Sequence, residues 1–146
     1  MLARDAESHR HSVLLIEDDM DTRDAVEAFA EAAGFDVVAH HDAAMALNYL
    51  KGASHTCLIL LDLYMPGMDG FAFRRAQLAD PALADIPTVI LSGGSLVDEK
   101  AARAMKLQAF FRKPVDPQAL LAVLDEYCGA DGRAQSKLKH DPGSTY

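Results

Sequence analysis

Four strand-like runs of this chain each lead into a residue that can do chemistry. They are Asp62 after residues 57–61, Glu17-Asp18-Asp19 after 13–16, Ser92 after 88–91, and Lys113 after 109–112. In open α/β sheets, functional sites form beyond the carboxyl ends of the strands. Acids, a hydroxyl and a lysine would then meet at one edge of a sheet. That set suits a magnesium-assisted transfer of a phosphoryl group onto a carboxylate.

Strand-like and helix-like segments alternate five times along the chain. Apolar residues recur at helical spacing in the segments between the strands. Strands that alternate with helices pair in parallel through right-handed crossovers. The runs 13–16, 58–61 and 88–91 are continuously apolar, as central strands covered on both faces should be. The predicted strands are residues 13–17, 35–40, 57–62, 88–91 and 109–112.

Capping residues place the ends of several predicted helices. Asp42 is a plausible N-cap for the second helix, which Gly52 stops. Ser95 can cap a fourth helix that runs to about Met105. Asp116 followed by Pro117 opens the last helix.

Composition limits the class of protein. The 146 residues carry 22 acids and 14 bases, a net charge of −8, which argues against a nucleic-acid partner. The first twelve residues are too polar for a secretory signal, and no apolar run is long enough to cross a membrane. We expect a flexible N-terminal segment at 1–11, one domain at 12–128 and a flexible tail at 129–146.

The two cysteines, Cys57 and Cys128, lack the spacing of a zinc or redox motif. Cys57 begins an apolar strand and Cys128 ends a helix. We expect two reduced, buried thiols in a cytoplasmic protein.

Four motifs, each at the end of a predicted strand, resemble those of one family in the same order. They are V-L-L-I-E-D-D, L-I-L-L-D-L-Y-M-P-G-M-D-G, V-I-L-S and F-F-R-K-P. The chain is similar to the receiver domains of bacterial two-component response regulators, of the chemotaxis type. The resemblance covers about residues 12–128. It implies an α/β, flavodoxin-like, doubly wound five-stranded parallel sheet, order 2-1-3-4-5, with five helices.

The resemblance assigns roles to the residues at the acidic edge. Asp62 would be the phosphoacceptor, and Glu17, Asp18 and Asp62 would hold Mg²⁺ together with the backbone carbonyl of Tyr64. Mn²⁺ can substitute in such sites. Asp19 competes with them as a ligand, but an acid at a helix N-terminus is the favoured interpretation. Three carboxylates close together predict an apo protein that gains stability with Mg²⁺ or at lower pH.

The remaining matches concern the phosphoryl group and the response to it. Ser92 would donate its hydroxyl to a phosphoryl oxygen, and Lys113 would pair with the group. The family's Lys-Pro bond, here Lys113-Pro114, is typically cis. Phe110 stands at the position of the switch aromatic. As in such receivers, its rotation would change the surface formed by the fourth helix, the fifth strand and the last helix.

Two features depart from the family pattern. Gly93-Gly94 follows Ser92 where a small residue such as Ala is usual, which loosens that loop. Lys106-Leu107 stands where Gly-Ala commonly precedes the fifth strand. Tyr64 is bulky, and we expect it to restrict water and slow autodephosphorylation.

The function implied is that of a stand-alone response regulator, and not of an enzyme acting on other substrates. Its donor would be a sensor histidine kinase or a phosphotransfer protein. It would be cytoplasmic, contact neither membrane nor nucleic acid, and be a monomer or a phosphorylation-dependent dimer. The main alternative is an adaptor that binds a partner without being phosphorylated.

Two further alternatives fit less well. A phosphatase with an aspartyl nucleophile needs a second acid at position 64, which is Tyr64. A flavodoxin would need a phosphate loop after the first strand, where the acidic triplet would repel phosphate. His40 and His41 are expected to be surface residues without a role in phosphotransfer.

Overall fold

A computed structural model describes residues 12–52, 55–93, 100–101, 103–107 and 109–129 of the chain. Its centre is one five-stranded sheet, in which every pairing is parallel and the strand order is β2-β1-β3-β4-β5. The predicted sheet and strand order are therefore confirmed. The strands are β1 (Ser12–Ile16), β2 (Asp36–His40), β3 (Thr56–Asp62), β4 (Thr88–Ser92) and β5 (Ala109–Arg112).

Helices cover both faces of the sheet. Those with described bounds are α1 (Met20–Ala32), α2 (Ala43–Gly52), α3 (Gly70–Ala79) and α4 (Pro117–Cys128). The helix predicted between β4 and β5 begins at Ser95, which lies outside the described residues. Its last part is described, because residues 100, 101, 103 and 104 are helical. We call residues 100–101 and 103–104 the switch segment below.

Aspartates cap the helices, as the sequence indicated for two of them. The Asp42 carboxylate accepts a hydrogen bond from the Met45 N–H at 2.9 Å, and Asp116 accepts one from the Gln118 N–H at 3.1 Å. Each satisfies an N–H group that the first turn of a helix leaves unpaired.

The core consists of two apolar layers separated by the sheet. Alternate residues of each strand point to opposite faces, so Leu14 and Ile16 lie in one layer while Val13 and Leu15 lie in the other. The first layer packs under α2 and α3, and the second packs under α1 and α4. Every residue of β4 is buried, as expected of an interior strand.

The expectation of two reduced thiols is wrong in this structure. Cys57 and Cys128 form a disulfide, with Cα atoms 5.4 Å apart. The topology explains their meeting. α4 follows β5, which runs in the same direction as β3, and it packs back over the sheet in the layer that contains Cys57. Its C-terminal end therefore lies near the start of β3. No spacing in the sequence reveals this, because 71 positions separate the two residues.

The predicted flexible segments, 1–11 and most of 129–146, lie outside the described residues. Among the described residues, no helix combines the length and apolar character needed to cross a bilayer.

Candidate functional site

Three carboxylates converge at the carboxyl edge of the sheet. One carboxylate oxygen from each of Glu17, Asp18 and Asp62 lies within 4.8 Å of the others. Glu17 and Asp18 follow β1, and Asp62 ends the neighbouring strand β3. Glu17 and Asp62 are buried, whereas Asp18 is exposed. The result is a negative cluster that is closed at its base and open to solvent at Asp18.

The amine predicted for this site reaches the same cluster. Lys113 Nζ lies 2.7 Å from Glu17 Oε1 and 3.6 Å from Asp62 Oδ1. Burial opposes the charge of Lys113, but hydrogen bonds and the charges of Glu17 and Asp62 raise its pKa above the ordinary value. The lysine is therefore a stable cation that bridges two acids.

The carboxyl group of Asp62 is strongly perturbed. Burial, followed by the charge of Glu17, raises its pKa to about 7, although Lys113 and the Tyr64 N–H oppose this rise. The Tyr64 N–H lies 3.4 Å from Asp62 Oδ1. A carboxyl group at the end of an apolar strand, next to another acid, holds its proton more tightly than in water.

The other predicted residues flank this cluster. Ser92 is fully buried at the end of β4, and its carbonyl accepts a hydrogen bond from the Lys113 N–H at 2.7 Å. Its neighbour in the strand, Leu91, is paired with Asp62. Phe110 is half-buried and packs against the layer under α2 and α3. The Lys113-Pro114 bond is cis.

Residues 13–125 match the profile of the response regulator receiver domain. The chain belongs to the response regulator receiver family. The match covers β1 through most of α4, so it includes every strand and every acid described above.

Named relatives are consistent with that membership. The chain is 33% identical over 115 residues to the transcriptional regulatory protein FixJ of Bradyrhizobium diazoefficiens, covering 77% of this chain and 54% of FixJ. It is 33% identical over 116 residues to the response regulator Rre1 of Synechocystis, covering 77% of this chain and 49% of Rre1. The chain thus spans about half the length of these relatives.

A solved structure shares the fold. The Vibrio cholerae chemotaxis protein CheY4 superposes with a TM-score of 0.73 at 26% identity, covering 81% of this chain and 98% of CheY4. The chain is therefore a receiver domain of the kind found in two-component response regulators.

The acidic cluster of this receiver fits a divalent cation. Mg²⁺ prefers oxygen ligands and keeps several waters, and this site offers three carboxylates with an open side at Asp18. Glu17 is held inward, because its Oε2 accepts a hydrogen bond from the Asp19 N–H at 3.1 Å. The Tyr64 carbonyl as a further ligand stays a prediction, as do the individual roles of the acids.

Asp19 has the capping position favoured by its place in the sequence. It is the N-cap of α1, and its carboxylate accepts hydrogen bonds from the Thr22 N–H and hydroxyl at 2.9 and 2.7 Å. These bonds lower the pKa of Asp19. Its carboxylate therefore caps α1 and does not belong to the acidic cluster.

Two residues that position the site are not among those predicted from the sequence. Arg23 donates through Nη1 to the carbonyls of Glu17 and Asp18 at 3.0 and 3.4 Å, which fixes the turn that carries both acids. Gly70 begins α3, and its N–H donates to the Leu63 carbonyl at 2.8 Å. The only signal was the pair Asp69-Gly70, a capping acid followed by the smallest residue.

The two histidines differ from one another. His41 is exposed as expected, but His40 ends β2 in a half-buried position, with its ring 5.5 Å from that of Tyr49. Burial lowers the pKa of His40. His40 is therefore only partly exposed, whereas His41 is fully at the surface.

The raised pKa of Asp62 predicts a pH-dependent stability. Its folded pKa of about 7 exceeds the ordinary value of 3.8, so the folded state binds the proton more tightly than the unfolded state. The free energy of unfolding should fall as the pH rises from about 4 to 7, by about 2 kcal/mol after allowance for solvent at the open side. Asp62→Asn should lack this loss, and Mg²⁺ should remove it from the wild type.

Thermal unfolding at pH 4.5, 6 and 7.5, with and without Mg²⁺, measures this effect. The difference in Tm between Asp62→Asn and wild type should grow with pH in the absence of the ion. A difference that stays constant across this range would contradict the prediction.

Proposed function

We propose that this receiver accepts a phosphoryl group on Asp62, in a Mg²⁺-dependent reaction, from a sensor histidine kinase or a phosphotransfer protein. The arrangement that carries the proposal is one sheet edge at which Asp62 lies with two other acids and 3.6 Å from Lys113 Nζ. A buried nucleophilic carboxylate with a cation beside it is suited to an anionic electrophile.

The proposed reaction uses the side chains that meet at this edge. An oxygen of the ionised Asp62 attacks phosphorus, and the bond from phosphorus to the donor imidazole nitrogen breaks, with the electron pair leaving on nitrogen. Lys113 turns from Glu17 to the phosphoryl oxygens, and the Ser92 hydroxyl donates to one of them. When bound, Mg²⁺ supplies positive charge that offsets the negative charge of the acids and of the phosphoryl group.

The first experiment is intact-mass spectrometry after incubation with acetyl phosphate. Wild type with Mg²⁺ should gain one phosphoryl group, and the gain should be lost when EDTA replaces Mg²⁺. Asp62→Ala should gain none. Asp19→Asn is the matched control, because it removes an acid from the same edge that is committed to capping α1.

The adaptor is the rival that this experiment tests. A wild type that gains no phosphoryl group, either from acetyl phosphate or from a phosphorylated kinase, would exclude the proposed reaction and favour a partner bound without phosphorylation. An adduct that persists in Asp62→Ala would place the acceptor elsewhere.

The surface around the site offers a face for the donor. Met20 and Tyr64 are 60% and 54% exposed, which is high for large apolar side chains. Beside Lys113, a cavity of about 320 Å³ lies between α1 and the segment that leads into α4. Phe29, Val115 and Leu120 are among its lining residues. We infer that an apolar side chain of the donor enters this cavity while its phosphohistidine reaches Asp62.

Signalling would follow from movement of the switch segment, β5 and α4. Ser92 and Phe110 link the phosphoryl group to that surface, which then binds a protein partner as a monomer or pairs with a second copy. Kinases present phosphohistidine in the cytoplasm, which is the location that this function implies.

Tyr64 should lengthen the life of the phosphorylated state. Its backbone N–H lies 3.4 Å from Asp62 Oδ1, and its exposed ring packs edge-on against Phe71, with centroids 5.9 Å apart. We expect this ring to shield one approach to the acceptor. Tyr64→Gly should shorten the half-life of the adduct about tenfold by admitting water, since a tenfold change needs only about 1.4 kcal/mol. Loss of the adduct followed by mass spectrometry measures this, and an unchanged half-life would remove Tyr64 as a barrier to water.

A further inference from the structure

Arg74 is a buried cation on α3 that takes no direct part in the acidic site. Its side chain lies under the surface with 3% exposure, and burial lowers its pKa. Among the described residues, its guanidinium contacts neutral acceptors and no carboxylate. A buried charge without an acid partner is costly unless its donors are used well.

Four hydrogen bonds use the planar fork of this guanidinium. Nη1 donates to Gln77 Oε1 at 2.7 Å and to Thr88 Oγ1 at 3.0 Å. Nε donates to the Met105 carbonyl at 3.2 Å, and Nη2 donates to the Lys106 carbonyl at 2.9 Å. Arg74 therefore joins α3 and the first residue of β4 to the turn that follows the switch segment.

The turn held in this way is unusual. Lys106 has φ 56°, in the left-handed region that residues other than glycine rarely adopt. Its N–H donates to the Arg103 carbonyl at 3.1 Å, which closes the end of the switch segment. Because a side chain at this φ is disfavoured, the two bonds from Arg74 to the turn help to hold it.

The same helix also contacts the phosphoacceptor strand. Gly70 lies against the backbone of Asp62 and Leu63, and Arg74 is about one helical turn further along α3. The turn at Met105–Lys106 lies only a few residues before Phe110 in β5. α3 therefore connects the backbone of Asp62 to the turn before β5.

We propose that Arg74 is a positioning residue that clamps the turn at Met105–Lys106 in the arrangement in which Lys113 is paired with Glu17 and Asp62. That pairing occupies the ammonium group that a phosphoryl group on Asp62 would need. The clamp thus favours the unphosphorylated surface, and releasing it should make the phosphorylated arrangement easier to reach. The proposal rests on the function proposed above.

The test combines a local and a functional measurement on Arg74→Met. Hydrogen exchange of the peptide containing residues 103–107 should become at least tenfold faster, while α1 exchanges as in wild type. Affinity for beryllium trifluoride with Mg²⁺, a phosphoryl mimic measured by calorimetry, should rise about fivefold or more, because coupling is reciprocal.

Two variants complete the design. Arg75→Met makes the same change of charge at the next, exposed position of α3, and it should alter neither measurement. Arg74→Lys keeps the charge but has one nitrogen in place of the three that make the four hydrogen bonds, so it should shift both measurements in the direction of Arg74→Met. It also replaces Arg74→Met if that variant does not fold.

Each other outcome overturns the proposal in a recognisable way. Faster exchange with unchanged affinity would make Arg74 a purely structural residue, and a lower affinity would show that the clamp favours the opposite arrangement. Unchanged exchange would exclude the clamp itself. A wild type that does not bind the mimic would refute the proposed function, while the exchange measurement would still test the clamp.

Discussion

Reduction of the Cys57–Cys128 disulfide should lower the free energy of unfolding by about 4 kcal/mol, the largest stability change expected here. The bridge closes a loop of 71 residues, and the loss of conformational freedom in the unfolded chain grows with loop length. For a domain of this size the Tm should fall by about 12 °C or more. Thermal unfolding with and without dithiothreitol measures the difference.

The double variant Cys57→Ser/Cys128→Ser is the control. It should unfold at the same temperature in both conditions, close to the reduced wild type. Alkylation of the denatured wild type without reductant gives a direct count of free thiols. Two alkylated cysteines would show that the bridge is absent in the purified protein. If the bridge is present but the Tm is the same with and without dithiothreitol, the predicted stabilisation is contradicted.

The disulfide is an oxidised state of the cysteines, whereas the proposed cytoplasmic location favours the reduced state. Reducing agents of the cytoplasm keep most cysteines as free thiols, whereas the fold brings these two sulfur atoms within bonding distance. Alkylating cells at harvest, before lysis, would measure the bridged fraction in the living cell. That fraction decides which of the two stabilities applies to the protein at work.

Gly70→Ala should both destabilise the receiver and slow its phosphorylation. A methyl group at position 70 would press on the Asp62 carbonyl oxygen and lie 2.7 Å from the Leu63 Cα. These are backbone atoms and cannot rotate away, so α3 must move or the end of β3 must shift. We expect a loss of about 3 kcal/mol in the free energy of unfolding. A shift of about 1 Å in Asp62 can cost about 100-fold in the rate of phosphorylation.

Gly52→Ala is a matched control for this substitution. Gly52 also lies in a helix, at the end of α2, but a methyl group there meets no atom within 4 Å. It should leave stability and phosphorylation by acetyl phosphate close to those of wild type. If Gly70→Ala behaves like Gly52→Ala in urea unfolding and in the mass assay, the close approach of α3 to Asp62 does not constrain the site.

The order of the strands followed from the sequence because each local signal was strong and agreed with the others. Continuous apolar runs such as 58–61 indicate strands covered on both faces, and parallel pairing then follows from the intervening helices. The convergence of Glu17, Asp18, Asp62 and Lys113 followed in turn, since the carboxyl ends of parallel strands share one edge.

The sequence predicted which residues lie at strand ends more reliably than it predicted how deeply their side chains are buried. His40 was expected at the surface, but it is half-buried beside Tyr49, because the helix that follows β2 folds back over the strand end. The strength of the perturbation at Asp62 also depends on burial, which raises its pKa more than the charge of Glu17 does. A motif identifies the acid but does not measure how much water reaches it.

By itself, the sequence determined the fold class, the strand order and the identities of the residues at the acidic edge. These depend on local periodicity and on residues directly adjoining strand ends. Only the tertiary structure decided the Cys57–Cys128 bridge, the contact of Gly70 with Asp62, and the bonds from Arg74 to the turn before β5. Each joins groups on different elements, and their meeting depends on how helices pack across the sheet, which no short-range pattern encodes.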